Sequence, residues 1–193
     1  DVYISSIESN NYFGKNSRAK FKTGDINLIA RESWDAYRPL VALRSNTTGQ
    51  RNAAFGNQAL MSNTGSKNTA IGSHALYVNS SGGNNSGMGY FALGVNTTGS
   101  YNTGSGSYAL NSVTTGSQNS GLGYQAGAVI TTGSNNTMLG YSADPSAADG
   151  ENQIVIGYGA TGTGNNEIAL GNTSISAIKA QVTSITGYSD SRI

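Results

Sequence analysis

The chain has no cysteine, only two prolines, one histidine and one tryptophan among 193 residues. Without cysteine there are no disulfides and no thiolate metal sites, and pairing says nothing about the redox compartment. Stability outside a cell would then rest on backbone hydrogen bonding and on association of copies. Charge is scarce too: Asp, Glu, Lys and Arg make up 11% of the sequence, against about 25% in ordinary domains. Hydrophobic residues, at 36%, fall below the usual value of about 45–50%. Disorder couples low hydrophobicity to high net charge, but the formal net charge here is only +1. That combination favours a thin ordered rod with a surface of Asn, Ser, Thr and Gly. No apolar run approaches the roughly 18 residues of a membrane span, so this segment is not expected to insert in a membrane, and no nucleic-acid partner is expected. Asp1-Val2-Tyr3 is not a signal peptide, and the missing initial Met suggests a piece of something longer.

What the chain does have is glycine, and the glycines keep time. A pair seven residues apart recurs as Gly49/Gly56, Gly65/Gly72, Gly82/Gly89, Gly99/Gly106, Gly116/Gly123, Gly133/Gly140, Gly150/Gly157 and Gly164/Gly171. The second glycines step by 16 residues, then five times by 17, then by 14. A period this short implies stacked rungs of a β-solenoid or β-roll rather than paired helices. Six rungs read Asn, two small residues, one residue that is apolar in five of them, and Gly, as in Asn68-Thr-Ala-Ile71-Gly72 and Asn119-Ser-Gly-Leu122-Gly123. The residue before the second Gly is apolar in seven of eight rungs (Phe55, Ile71, Met88, Leu122, Leu139, Ile156 and Leu170), with Ser105 the exception. Three residues after that Gly comes Ala59, Ala75, Ala92, Ala109, Ala126 and Ala143 in turn, usually followed by Leu. Stacking would turn each position into a column, and strand alternation would place both columns indoors and the Asn, Ser and Thr outdoors. The segments Asn46-Thr-Thr-Gly49 and Asn96-Thr-Thr-Gly99 are turn chemistry, so each rung is expected to hold two short strands and two turns. Eight rungs about 4.8 Å apart make a rod roughly 40 Å long.

Ordering each backbone residue costs about 1–2 kcal/mol, and summed over a rung this exceeds what one large and one or two smaller buried side chains return. The missing apolar contact is most simply supplied by other chains around a shared axis. A parallel homotrimer is the expected assembly. Charge divides the chain as well. Seven of the eleven Lys and Arg precede Ser45, which places a boundary between an N-terminal β-rich cap or preceding fibre domain (1–44), the repeat rod (45–176) and a C-terminal linker (177–193). The last segment carries Ile178, Val182 and Ile185 at helical spacing, but its β-branched content argues equally for strand.

The rung Asn68-Thr-Ala-Ile-Gly72-Ser-His-Ala75-Leu resembles the head repeat of YadA-type trimeric autotransporter adhesins. The resemblance runs from Asn46 to Ser176 and implies a trimeric, left-handed parallel β-roll; the 17-residue period is longer than the rungs typical of those adhesins. The terminal Gly187-Tyr-Ser189-Asp190-Ser-Arg192-Ile193 resembles the opening of the endosialidase-type intramolecular chaperone found behind phage tail fibres and tailspikes. That second resemblance implies a chaperone that trimerises the fibre and is then removed by cleavage between Ser189 and Asp190. Together they imply an extracellular location, on a virion tail or a bacterial surface, and a host receptor that is a glycan or a surface protein.

The isolated chemistry is thin. His74 has no second His or Cys to work with and reads as a surface residue. Asp144, Asp149 and Glu151 surround Pro145 without the spacing of a calcium loop, so no metal site and no cofactor is expected. Gly104-Ser-Gly106 lacks the Lys and helix start of a phosphate loop. Asn46, Asn79, Asn85, Asn96, Asn136 and Asn172 sit in glycosylation-type triplets that follow from the composition of the repeat. Tyr90, Tyr124, Tyr141 and Tyr158 each follow the second Gly of a rung, so they either steady the rod or offer an exposed ladder to a receptor. Trp34, with Arg31, Tyr37 and Arg38 nearby, is a second candidate for receptor contact, or an anchor of the cap. The leading expectation is a structural or adhesive fibre element, not an enzyme. A polysaccharide-degrading tailspike, which needs paired carboxylates in a groove, and an ice-binding solenoid are the alternatives.

Overall fold

The structure, a computed structural model, describes residues 11–13, 28–30 and 42–177. Trp34, Tyr37, Ser189 and Asp190 lie outside the described residues, as does the linker from 178 onward. Among the described residues, ten strands form one sheet in chain order, and every neighbouring pair is parallel. They are β1 (Asn11–Phe13), β2 (Leu28–Ala30), β3 (Ala53–Phe55), β4 (Thr69–Ile71), β5 (Ser86–Met88), β6 (Thr103–Ser105), β7 (Ser120–Leu122), β8 (Thr137–Leu139), β9 (Ile154–Ile156) and β10 (Ile168–Leu170). The last eight belong to the glycine repeat, and no helix occurs among the described residues. The chain is an all-β parallel solenoid.

Each rung contributes one strand of three residues, not the two expected. The rest of the rung turns corners through left-handed backbone at fixed positions. Lys67, Asn84, Tyr101, Gln118 and Asn135 form one such column, with φ between 58 and 63°. Leu43, Leu60, Leu76, Leu93 and Leu110 form another, with φ between 50 and 53°. Non-glycine residues rarely adopt this region. Hydrogen bonds between rungs hold them there: the N–H of Leu76 donates to Ala92 O (2.9 Å) and that of Leu93 to Ala109 O (3.0 Å). The Leu43 N–H makes the same bond to Ala59 O, so Ala42-Leu43 already occupies a rung of the coil.

The phase of the strand is opposite to the expectation. In every strand from β3 to β9 the middle residue is buried and its two neighbours point outward. The inward column is therefore Ala54, Ala70, Gly87, Gly104, Gly121, Met138 and Val155, preceded one alternation earlier by Asn52, Asn68, Asn85, Asn102, Asn119, Asn136 and Gln153, all buried. Ile71, Met88, Leu122, Leu139, Ile156 and Leu170 are exposed, and Phe55 is half-buried. These seven side chains do not form an interior column of the single chain. The Ala column does: Ala59, Ala75, Ala92, Ala109, Ala126 and Ala143 are fully buried.

Asparagine is inside because the rung closes on its own carbonyls. The backbone N–H of Asn68, Asn85, Asn102, Asn119 and Asn136 each donates to Oδ1 of the preceding ladder Asn, at 2.9–3.1 Å. Each Nδ2 reaches the carbonyl of a turn glycine on the next rung, as Asn85 does to Gly99 and Asn102 to Gly116. A second ladder, Asn46, Asn63, Asn79 and Asn96, links its amides rung to rung. Buried backbone groups must find partners, and a column of primary amides supplies a donor and an acceptor per rung. Of the glycosylation-type asparagines, Asn79 and Asn96 are thus buried with Nδ2 engaged, while Asn85 and Asn136, also buried, are followed by Ser-Gly and Thr-Met and so do not begin an Asn-x-Ser/Thr triplet.

The apolar part of the interior is matched in volume between rungs. A Cβ added to Gly87 or Gly104 would meet Cγ of Leu76 or Leu93 at 3.4 Å, and one at Gly121 would meet Cγ of Leu110 at 2.9 Å. Each leucine therefore lies over the glycine of the following strand. Gly127 stands where the next leucine would be, and Met138 fills the space: a Cβ at Gly127 would sit 3.3 Å from Met138 Cγ. Asp144 takes the same position one rung later, and there Val155 replaces glycine. The second ladder changes in parallel, from Asn96 to the buried Val113 and Ile130.

Candidate functional site: an exposed apolar and aromatic face

Two columns emerge on the outside of the rod on either side of the glycines Gly56, Gly72, Gly89, Gly106, Gly123, Gly140 and Gly157. These glycines hold φ between 128 and 138°, a region side chains rarely enter. The first column is the third residue of each strand: Phe55, Ile71, Met88, Ser105, Leu122, Leu139, Ile156 and Leu170. Strand pairing sets them in register, Ile71 beside Met88, Leu122 beside Leu139, and Leu139 beside Ile156. Leu122 is 54% exposed, so what recurs on every rung but one is a large apolar group facing away from its own core. Toward the last strands the stripe widens, because Ile154 and Ile168 at the first strand position are exposed as well.

The second column is aromatic and begins just past the glycines. Tyr124, Tyr141 and Tyr158 form an offset stack, with centroids 5.2 and 5.1 Å apart and planes within 18 and 19°. The stack continues toward the N-terminus through Tyr108, 6.2 Å from Tyr124, and Tyr90, 5.2 Å from Tyr108, both in edge-to-face contact. His74 closes the series, 6.0 Å from Tyr90 and 5.2 Å from Tyr77. Such pairs contribute about 0.5–1.5 kcal/mol each beyond area burial. The sequence pattern lost the series at Ser107, but the structure restores it with Tyr108, one residue later in the chain. Tyr108 and His74 are the members the spacing rule missed, because a corner brings two adjacent positions to the same side. The phenol of Tyr108 is held above its ordinary pKa by desolvation, then by the neighbouring Tyr90 and Tyr124.

Acids contribute little to this face. Asp144 is half-buried on the Ala-Leu column, accepts the Val129 N–H at 3.2 Å, and has its pKa raised mainly by burial. Among the described residues no group of three His, Cys, Asp or Glu could hold a metal ion. Nor is any helix among them long and apolar enough to cross a membrane. Set beside family models, curated proteins and solved structures, the chain matches none of them.

Proposed function

We propose that the chain is the shaft or head of a homotrimeric surface fibre, a phage tail fibre or bacterial adhesin, that forms or carries a host-receptor surface. The observation that carries this reading is the apolar stripe running the length of the rod on the outside of a chain whose interior is already closed. Contiguous exposed apolar surface of this kind marks an interaction site. A stripe that repeats with the rung spacing is best matched by a partner with the same axial repeat, which another copy of the chain provides. The reason for trimerisation thus moves from the interior to the surface: each rung fills its own core, and the copies cover one another's stripes. Three identical rods then give avidity from weak contacts. The scarcity of carboxylates on the face favours a binding element over a glycan hydrolase. Maturation by removal of a C-terminal chaperone at Ser189–Asp190 rests on the resemblance of residues 187–193 alone.

Replacing Leu122 and Leu139 together by Asp tests the reading, because both are exposed on the outward side of their strands. Sedimentation velocity is expected to show the variant as a monomer with the β-sheet circular dichroism of the parent. A variant that still sediments with the parent assembly would count against it.

A further inference from the structure

We infer that the C-terminal segment of this same chain closes the end of the rod. Ser184-Ile185-Thr186 adds a parallel strand to the open edge of β10, and Gly187 and Tyr188 continue the glycine and tyrosine columns. The inference goes beyond the fibre reading and does not depend on it. Among the described residues β10 is paired with β9 alone. Its central residue shows what is missing. From β3 to β9 the middle residue of the strand is buried, whereas Ala169 is only half-buried, although it packs against the same core. Ile168 and Leu170 beside it are 65% and 48% exposed. An open sheet edge is a template for any other strand, and a stack of repeats needs a terminal one with a polar outer face.

Chain continuity and period name the occupant. The described residues end at Ala177, and Gly187 follows Gly171 by 16 residues, the same step that separates Gly56 from Gly72. The dipeptide Gly-Tyr occurs five times in the chain. Four of the five (Gly89-Tyr90, Gly123-Tyr124, Gly140-Tyr141 and Gly157-Tyr158) join the second glycine of a rung to the outer tyrosine column; the fifth is Gly187-Tyr188. The phase agrees as well. Ser184 takes the first outward position, where Ser86 and Ser120 stand in their strands. Ile185 falls inward over Ala169, as Met138 and Val155 do in theirs. Thr186 sets a polar group where the stripe of large apolar residues ends. The alanine column has already stopped: Ser174 and Asp190 stand three residues after Gly171 and Gly187, which suits the last turns of a stack. On the fibre reading, cleavage between Ser189 and Asp190 would leave this rung whole.

The test uses the full chain, whose lack of cysteine leaves a silent background for introduced thiols. The proposed register sets Thr186 beside Leu170 at the spacing of parallel neighbours, about 4.8 Å, within the Cα separation a disulfide spans. Ser184 lies on the diagonal, about 8 Å from Leu170, beyond that reach. The pair Leu170→Cys with Thr186→Cys is expected to oxidise to a disulfide within one chain, seen at the monomer mass on non-reducing denaturing electrophoresis. The pair Leu170→Cys with Ser184→Cys is expected to stay reduced. Hydrogen exchange gives a readout without substitution. The glycine N–H of one rung donates to the third strand residue of the rung before, as Gly157 does to Leu139 O (2.8 Å) and Gly171 to Ile156 O (2.6 Å). The Gly187 N–H should therefore bond Leu170 O and exchange as slowly as that of Gly171. Equal oxidation of the two pairs, no disulfide in either, or a Gly187 amide that exchanges without protection would overturn the inference. A disulfide joining two chains would overturn it as well, since a neighbouring copy would then cover the edge. The solution mass of the parent chain bears on the fibre reading alone and leaves the capping rung untouched.

Discussion

Asn102 is fully buried, accepts the N–H of Asn119 through Oδ1, and donates from Nδ2 to Gly116 O and, at 3.4 Å, to Asn96 Oδ1. Replacing it by Ala leaves a buried N–H and a buried C=O without partners, each worth about 1–3 kcal/mol. We predict that Asn102→Ala lowers unfolding free energy by roughly 2–5 kcal/mol in urea titration, while the exposed Asn84→Ala costs less than about 2 kcal/mol. Asp144 makes the opposite case. Its raised pKa means that the folded chain holds the proton more tightly than the unfolded one. Stability from this group is thus complete below the ordinary carboxylate pKa and is lost as pH rises through the raised value. Asp144→Asn, which retains an oxygen for the Val129 N–H, is expected to melt higher than the parent at neutral pH. The difference should shrink as the pH falls through the carboxylate range in differential scanning calorimetry.

Within one rung the sequence made some positions readable and disguised others. The glycine period and the alanine column could be read because both demand small residues wherever the backbones crowd. Strand phase could not. Phe55, Ile71 and Leu122 look like core by hydrophobicity, and Asn52, Asn68 and Asn85 look like surface. The interior beside the strand is taken up by the leucine of the preceding rung, so it admits a large side chain only where that leucine is missing, as at Met138 and Val155, and it needs amides to satisfy the turn carbonyls. One signal was available: the asparagine stays the same in six rungs while the residue before the second glycine varies among Phe, Ile, Met, Ser and Leu. A fixed hydrogen-bond geometry tolerates one residue type, whereas an outward apolar stripe tolerates many. The exchange of Leu for Gly127 beside Met138 was equally hidden, since it appears only when rungs are stacked. It predicts coupling. Leu110→Ala alone is expected to cost about 2–5 kcal/mol and Gly121→Ala alone about 1–3 kcal/mol from overpacking. In the double variant the cost should fall below the sum, because the added methyl enters the space the leucine leaves and only its contact with the Ala126 carbonyl, at 2.8 Å, remains. Gly123→Ala has no such remedy: its Cβ would meet the Gly140 carbonyl at a backbone φ of 136°. It is expected to abolish cooperative unfolding at that rung, visible as loss of local amide protection in hydrogen exchange.

At the scale of the whole molecule, a single coil closes its own interior with two asparagine ladders, an alanine column and volume-matched Leu, Met and Val. What it leaves open is a stripe of Ile, Leu, Met and Phe on one side of the glycines and a tyrosine ladder on the other. On the proposed fibre reading, the stripe is where copies would meet. Candidate contacts at Trp34 and Tyr37 and the Ser189–Asp190 bond belong to segments outside the described residues and carry no weight in this division. The most direct test is the mass of the unmodified chain in solution by multi-angle light scattering over a wide dilution range. A particle of three times 19.8 kDa that persists on dilution is the predicted result. A particle of 19.8 kDa at every concentration, with the stripe left open to water, would contradict it.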